Sequence, residues 1–250
     1  MTTDIKIARE GAVMSAAFAR PHKKNAITGA MYEALIEAFE AAGRDSDVGA
    51  FVMSGRGGVF TAGNDIADFL SVAARGSGDF PAWRFVSKLA EFEKPLIAAV
   101  DGLAIGVGAT LLFHCDLVYA TPQARFQTPF VNLGLVPEAG SSLLAPQRLG
   151  RAKAAEFLLL GEPFDGHEAL ALGLVNTLLP QSELLPHAMA KAAELAAKPR
   201  AALLATRRLM RGDNEAVKAR MTEEMHAFSA ALKSPEAHAA FQAFLSAGRK

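Results

Sequence analysis

The chain has 250 residues, 51% of them hydrophobic, enough to bury a sizeable core as one large domain or as a domain with a smaller appendage. Its 26 Lys and Arg balance 26 Asp and Glu, which excludes an overall pull toward nucleic acid or an anionic membrane, so an anionic ligand must be held locally. Cys115 is the single cysteine, which excludes an internal disulfide framework and a Cys-x-x-Cys metal site.

Ile5 to Arg9 and Ala12 to Phe18 are short strand-like runs separated by Gly11, as in an opening hairpin. Thr28 is placed to cap a helix whose Met31, Tyr32, Leu35, Ile36 and Phe39 recur at helical spacing, and Ala50 to Ser54 follows as a buried strand. Trp83 to Phe92 carries a second helical pattern, ended by Pro95 before the apolar strand Leu96 to Val100. Gly102, Gly106 and Gly108 predict a turn, Ala109 to Cys115 a buried helix, and Leu117 to Ala120 another strand. Strands alternating with helices predict an α/β fold. From Glu183 the strand signal ends. Helices are expected around Leu184 to Ala197, Arg200 to Met210, Asn214 to Leu232 and Glu236 to Ala247, with breaks at Lys198-Pro199, Gly212-Asp213 and Ser234-Pro235. The expected division is therefore a core over 1–182 for binding and catalysis and a helical subdomain over 183–250. The longest apolar stretch, Leu103 to Phe113, is too short to span a bilayer, and Met1-Thr-Thr-Asp-Ile-Lys6 lacks a basic run leading into an apolar one. A cytoplasmic location is the expectation.

Three loops carry chemical potential. Arg20-Pro-His-Lys-Lys-Asn-Ala-Ile27 ends the second strand, and its Arg20, Lys23 and Lys24 are either a solvated basic turn or phosphate ligands. In Gly57-Gly-Val-Phe-Thr-Ala-Gly-Asn-Asp-Ile66 the small Ala62 and Gly63 let a ligand approach backbone N–H groups. Asp101-Gly-Leu-Ala-Ile-Gly-Val-Gly-Ala-Thr110 brings glycines to a strand end before a helix, where unpaired amides suit a developing oxyanion. A dinucleotide fingerprint fails here, because the third glycine position is Leu111, and no Walker lysine follows. His22, His114, His167, His187, His226 and His238 lack metal-ligand spacing, no Gly-x-Ser-x-Gly is present, and His114 beside Cys115 reads as core.

Glu138 is the only carboxylate between Asp116 and Glu156, inside Val131-Asn-Leu-Gly-Leu-Val-Pro-Glu-Ala-Gly-Ser-Ser142. Two readings stand at this point. Pro137-Glu138 opens a helix, with the acid at the positive end of the macrodipole, or Glu138 is an isolated base.

Arg20-Pro…Asn25-Ala-Ile27, Phe60-Thr-Ala-Gly-Asn-Asp-Ile66, Val100-Asp-Gly…Gly106-Val-Gly108, Cys115-Asp116 and Leu133-Gly-Leu-Val-Pro-Glu138 resemble, in order over nearly the whole chain, the crotonase (enoyl-CoA hydratase/isomerase) superfamily. The resemblance implies a spiral of ββα units with a C-terminal helical trimerisation subdomain, a homotrimer or dimer of trimers, and an acyl-CoA thioester substrate. Coenzyme A is then part of the substrate, with no further cofactor or metal.

By the same resemblance the thioester oxygen is held by the amides of Asn64 and Val107, the latter replacing a common glycine while keeping its N–H. The two hydratase glutamates fall on Thr110 and Phe130, neither of which supplies a carboxylate. Glu138 falls where the delta-3,delta-2-enoyl-CoA isomerases carry their single catalytic glutamate, and Ala62-Gly-Asn-Asp-Ile66 is similar to the segment of the peroxisomal-type isomerases. The implied reaction takes a proton from C2 and returns it at C4, in fatty-acid or related acyl-CoA metabolism. Phe130 and Leu133 are expected as apolar walls that raise the Glu138 pKa. Coenzyme A is expected along Lys24 to Ala26 (including Ala26 itself), Ala62, Gly63, Asn64, Asp65, Ile66 and Gly106, with Arg20 and Lys24 toward the phosphates. Phe244 is expected over the cofactor-like moiety, with Ala247 where relatives have lysine and Arg249 or Lys250 as substitutes. Other activities open to the superfamily are thioester hydrolysis, dehalogenation, hydration by a water between Thr110 and Glu138, and non-enzymatic binding. Gly76, Gly78 and Pro81 predict a lid between Leu70 and Trp83.

Overall fold

The computed structural model describes residues 2–74, 80–212 and 214–247. Strands β1 (Ile5–Glu10) and β2 (Val13–Phe18) form the expected hairpin, with Ile5 opposite Phe18 and Glu10 opposite Val13. Helix α1 (Gly29–Arg44) starts where Thr28 accepts a hydrogen bond from the Met31 amide, and buries Met31, Tyr32, Leu35, Ile36 and Phe39 on one face. Strand β3 (Ala50–Gly55), helices α2 (Ile66–Ala74) and α3 (Pro81–Glu91), and strand β4 (Leu96–Val100) follow. Gly76 and Gly78 of the expected lid lie outside the described residues, and Pro81 opens α3.

After β4 each turn of chain contributes one strand to a large sheet and one to a small sheet. β5 (Leu103–Ile105) leads to the single helical turn α4 (Val107–Thr110), and β6 (Leu117–Ala120) is followed by β7 (Arg125–Gln127). Then come α5 (Ser141–Leu149), α6 (Arg151–Ala155), β8 (Phe164–Asp165), α7 (Gly166–Ala171) and β9 (Thr177–Leu178). The large sheet has the order β1-β2-β3-β4-β6-β9 and is parallel except for the hairpin, while the small one has the order β5-β7-β8. The stretch read as a helix over Ala109 to Cys115 is instead α4 followed by a 3-10 turn at Leu111–His114. Leu117 must pair with Ile97, which leaves too little chain for a longer helix.

Side chains alternate across the large sheet with period two. Phe51, Met53, Leu96 and Ala98 enter the main core, whereas Ala50, Val52, Ile97 and Ala99 face Leu184, Ala188 and Ala192 of α8 (Gln181–Ala196). Helix α8 is thus a layer on the sheet, although it lies almost wholly beyond the division expected after residue 182. Phe39 anchors the main core, its ring centroid 4.5, 4.8 and 5.9 Å from those of Phe51, Phe92 and Phe85.

The remaining helices are α9 (Arg200–Arg211), α10 (Asn214–Ala231) and α11 (Pro235–Ala247). Phe228 and Leu232, with Ala237 and Phe241 of α11, close an apolar cluster over Phe69, Phe130 and Leu135. The C-terminal helices therefore cover this chain's own loops. No helix among the described residues is long and apolar enough to cross a membrane.

Candidate functional site

The first two loops are knitted together by backbone bonds. The Ala62 amide donates to the Lys24 carbonyl at 3.0 Å, Ile27 to Gly63 at 2.8 Å and Asp65 to Ile27 at 2.9 Å. Buried Asn25 stabilises the turn from inside: its Oδ1 accepts from the Arg20 amide at 2.8 Å, and its Nδ2 donates to the carbonyls of Arg56 and Val59 at 2.9 and 2.6 Å. Arg20, expected among the phosphate ligands, is committed internally. Its Nη1 meets Asp65 at 2.7 Å and the Ala26 carbonyl at 3.1 Å. Burial alone would raise the Asp65 pKa, but the Arg20 bond and the Asp68 and Ala67 amides lower it overall. Lys23 and Lys24 remain exposed at the rim, while Ala26 is half-buried.

The second and third loops run side by side. Thr61 pairs with Ala104 in parallel register, so Asn64 and Val107 each sit three residues beyond a matched pair. Neither amide donates to an acceptor among the described residues. Gly63 is required by space as well as by its φ of 83°, since a Cβ there would lie 2.7 Å from the Ile105 carbonyl. Gly106, at φ 57° and ψ −122°, occupies backbone space closed to other residues and turns the Val107 N–H out of the strand. Tyr32 donates to Asn64 Oδ1 at 2.5 Å, which fixes the Asn64 side chain on α1.

Glu138 does not open a helix. Helix α5 starts at Ser141, after Ala139 and Gly140 at φ 59° and 70°. The carboxyl is 6% exposed and accepts a hydrogen bond from the Thr110 hydroxyl. Because Thr110 lies one turn beyond Val107, this bond ties the acid to the same short helix that presents the Val107 amide. Burial pushes the Glu138 pKa up to about 8, the Thr110 bond works against that rise, and the charge of Glu224 adds to it. Phe130 is buried in the apolar cluster below, with Leu133 and Ile66 packed against it.

Two other residues hold the acid's loop. His114, expected as core, is buried and also bonds the Ala139 carbonyl through Nε2 at 2.7 Å. Its burial lowers its pKa to about 4, so it is neutral and Nε2 carries the proton. Cys115 is buried, which pushes its thiol up to about 12 and leaves it inert. Glu224 of α10 accepts from the Gly140 and Ser142 amides at 2.6 and 2.9 Å. It was not singled out from sequence, although its spacing with Met221 and Phe228 marks the buried face of α10.

The structure thus brings together Ala62, Gly63, Asn64, Asp65, Ile66, Gly106, Val107, Thr110 and Glu138, with Phe130 and Leu133 as an apolar side. Phe244 is 56% exposed on α11, and Arg249 and Lys250 lie outside the described residues. A small cleft lined by Tyr32, Asn64, Asp68, Phe69 and Phe80 opens beside Asn64. A larger cavity of about 510 Å³ lies elsewhere, between α9 and Phe113 to Leu117, and contains none of Asn64, Val107 and Glu138.

Comparison with known proteins gives the family of the chain. The model of the enoyl-CoA hydratase/isomerase family matches residues 8–249. The chain is 42% identical to enoyl-CoA delta isomerase 2 of Rattus norvegicus over 183 residues, covering 71% of this chain and 46% of the rat protein. It is 30% identical to 2,3-dehydroadipyl-CoA hydratase of Escherichia coli over 244 residues, 97% of this chain and 96% of the other. The chain spans about half the length of the mammalian isomerases that it matches. Among solved structures, OdaA of Pseudomonas aeruginosa superposes with a TM-score of 0.93 at 44% identity, over 97% of this chain and 99% of that one. With a family match over nearly its whole length and the superposed fold of a close structural neighbour, the chain belongs to the enoyl-CoA hydratase/isomerase (crotonase) family.

Proposed function

We propose that the protein is an enoyl-CoA isomerase that converts a 3-enoyl-CoA to the 2-enoyl-CoA, with Glu138 as its single base. The observation that carries this reading is the buried Glu138 carboxyl of raised pKa, bonded by Thr110, and the family resemblance supports it by setting Thr110 and Phe130 where hydratases have their carboxylates. A double-bond shift needs one group that removes the C2 proton and delivers it to C4, whereas hydration needs water activated and a proton delivered. The thioester oxygen accepts from the Asn64 and Val107 amides, which stabilise the dienolate formed when the C2 proton leaves. Each such donor is worth about 3 kcal/mol in the transition state. Phe130 and Leu133 keep water from the intermediate, and its absence favours return of the proton from Glu138 over hydration.

In this reading coenzyme A runs from exposed Lys24 past Ala26 and the Ala62 to Ile66 segment, and no further cofactor takes part. Arg20 acts indirectly, by fixing Asp65. The protein assembles as a homotrimer or a dimer of trimers, which is supported by exposed Leu159 and Leu160 beside the Val131 turn. The names of the relatives divide between delta isomerase and hydratase, so product identity is the deciding test. Incubation with 3-enoyl-CoA and 2-enoyl-CoA, with separation of the products, is expected to yield 2-enoyl-CoA from the first and little change in the second. Formation of 3-hydroxyacyl-CoA from 2-enoyl-CoA would assign Thr110 and Glu138 to hydration, and release of free CoA would assign Glu138 to hydrolysis.

A further inference from the structure

We propose that Glu224 is a positioning residue for Glu138, so that helix α10 is part of the catalytic machinery as well as a cover over the core. The inference rests on the reading of Glu138 as the base. Glu138 sits on a loop that has to hold Ala139 at φ 59°, a conformation that L side chains rarely adopt, and then Gly140 at φ 70°. Such a loop stays in place only if its neighbours determine it. From the core side His114 takes the Ala139 carbonyl at 2.7 Å, and Ser141 returns its amide and hydroxyl to the Glu138 carbonyl at 3.1 and 2.6 Å. From the opposite side Glu224 takes the Gly140 and Ser142 amides at 2.6 and 2.9 Å. Gly140 caps α5 without a side chain of its own, and Glu224 supplies that cap from a helix 84 residues away in sequence.

The chemistry of Glu224 is unusual for a residue that only packs. It is 5% exposed, and among the described residues no cation is ion-paired with it. Arg220, the nearest basic residue along its helix face, pairs with Glu223 at 2.9 Å and reaches the Ser142 hydroxyl at 3.3 Å. Burying a carboxylate without a counterion is costly, and an apolar residue at this position would fill the same space without that cost. What the carboxylate adds is the simultaneous grip on two amides that flank the base's loop, together with a negative charge near Glu138. The other groups that bear on Glu138 are the Thr110 hydroxyl, which bonds it, and Tyr32 of α1, whose own pKa is raised by burial and by Glu138. His114, neutral, faces the loop through Ala139.

The test compares wild type with Glu224→Gln and with Glu223→Gln, an exposed control on the same helix. Three quantities are read: exchange of the Gly140 and Ser142 amides, titration of the Glu138 carboxyl by carbon-13 NMR, and kcat and KM on a 3-enoyl-CoA. In Glu224→Gln the two amides are expected to exchange faster, the Glu138 midpoint to fall below its wild-type value because a raising charge is gone, and kcat to fall roughly ten- to a hundredfold. KM is expected to stay within about threefold, as befits loss of positioning rather than of binding. Glu223→Gln is expected to leave all three unchanged. An unchanged Glu138 midpoint and unchanged kcat in folded Glu224→Gln would overturn the proposal. If that variant does not fold, Glu224→Met, which likewise lacks the charge, carries the same expectations. The exchange and titration readouts do not depend on which reaction is catalysed, so failure of the isomerase reading alone would leave them intact.

Discussion

Replacing Glu138 by Gln removes one proton-binding site while keeping the side chain's shape and an oxygen for Thr110, so the variant isolates what that group contributes to folding. In the folded protein burial holds the carboxyl protonated up to about pH 8, against an ordinary value of 4.5. A raised folded-state pKa gives stability that is fully present below the unfolded value and lost as pH rises through the folded one. The span from 4.5 to about 8 corresponds to about 5 kcal/mol at roughly 1.4 kcal/mol per pH unit. Between about pH 5.5 and pH 9 about 3 kcal/mol of that is lost, because the unfolded chain is already mostly ionised at the lower pH. Urea unfolding of both proteins at these two pH values measures it. The stability difference is expected to move in favour of Glu138→Gln by about 3 kcal/mol from the lower to the higher pH. Parallel pH dependences for the two proteins would mean instead that Glu138 is ionised in the folded state at both.

The same group predicts kinetics: kcat/KM should rise with pH through a midpoint of about 8, and Thr110→Val, which removes the bond that favours the carboxylate, should move the midpoint higher and slow turnover at neutral pH. An unmoved midpoint would separate Thr110 from the base. Val107→Pro keeps a residue that helix starts tolerate but deletes the N–H, so kcat should fall about 10²- to 10³-fold while Val107→Gly stays close to wild type. Equal rates for these two variants would remove Val107 from the oxyanion site.

The strands and helices that bear on the site were legible where periodicity and capping agreed. Thr28 with the Met31 to Phe39 face, and the wholly apolar Leu96 to Val100, fall where the sequence places them. The three-residue strands β5 and β7 carry too few positions to show a period, and the turn after Gly106 was too short a helix to read. Arg20 looked like a free cation because Asp65, which holds it, is distant in sequence and adjacent only through the Ile27 and Gly63 pairing. The loops of Asn64 and Val107 were marked by their glycines and Glu138 by its isolation, while the two amides themselves were picked out only by the family resemblance. Glu224 stood out less, since only its spacing with Met221 and Phe228 separates it from Glu223, which has the same chemistry, and the loop it holds lies 82 to 84 residues away in sequence.

In the proposed reaction one carboxylate moves the proton. Single-turnover conversion of a 3-enoyl-CoA to the 2-enoyl-CoA, followed in wild type and in Glu138→Gln near pH 9, tests it most directly. A general base in this role is worth about 10²- to 10⁴-fold, so the variant is expected to lose at least the lower part of that range while still binding the substrate. Conversion by Glu138→Gln at the wild-type rate would mean that a group other than Glu138 moves the proton.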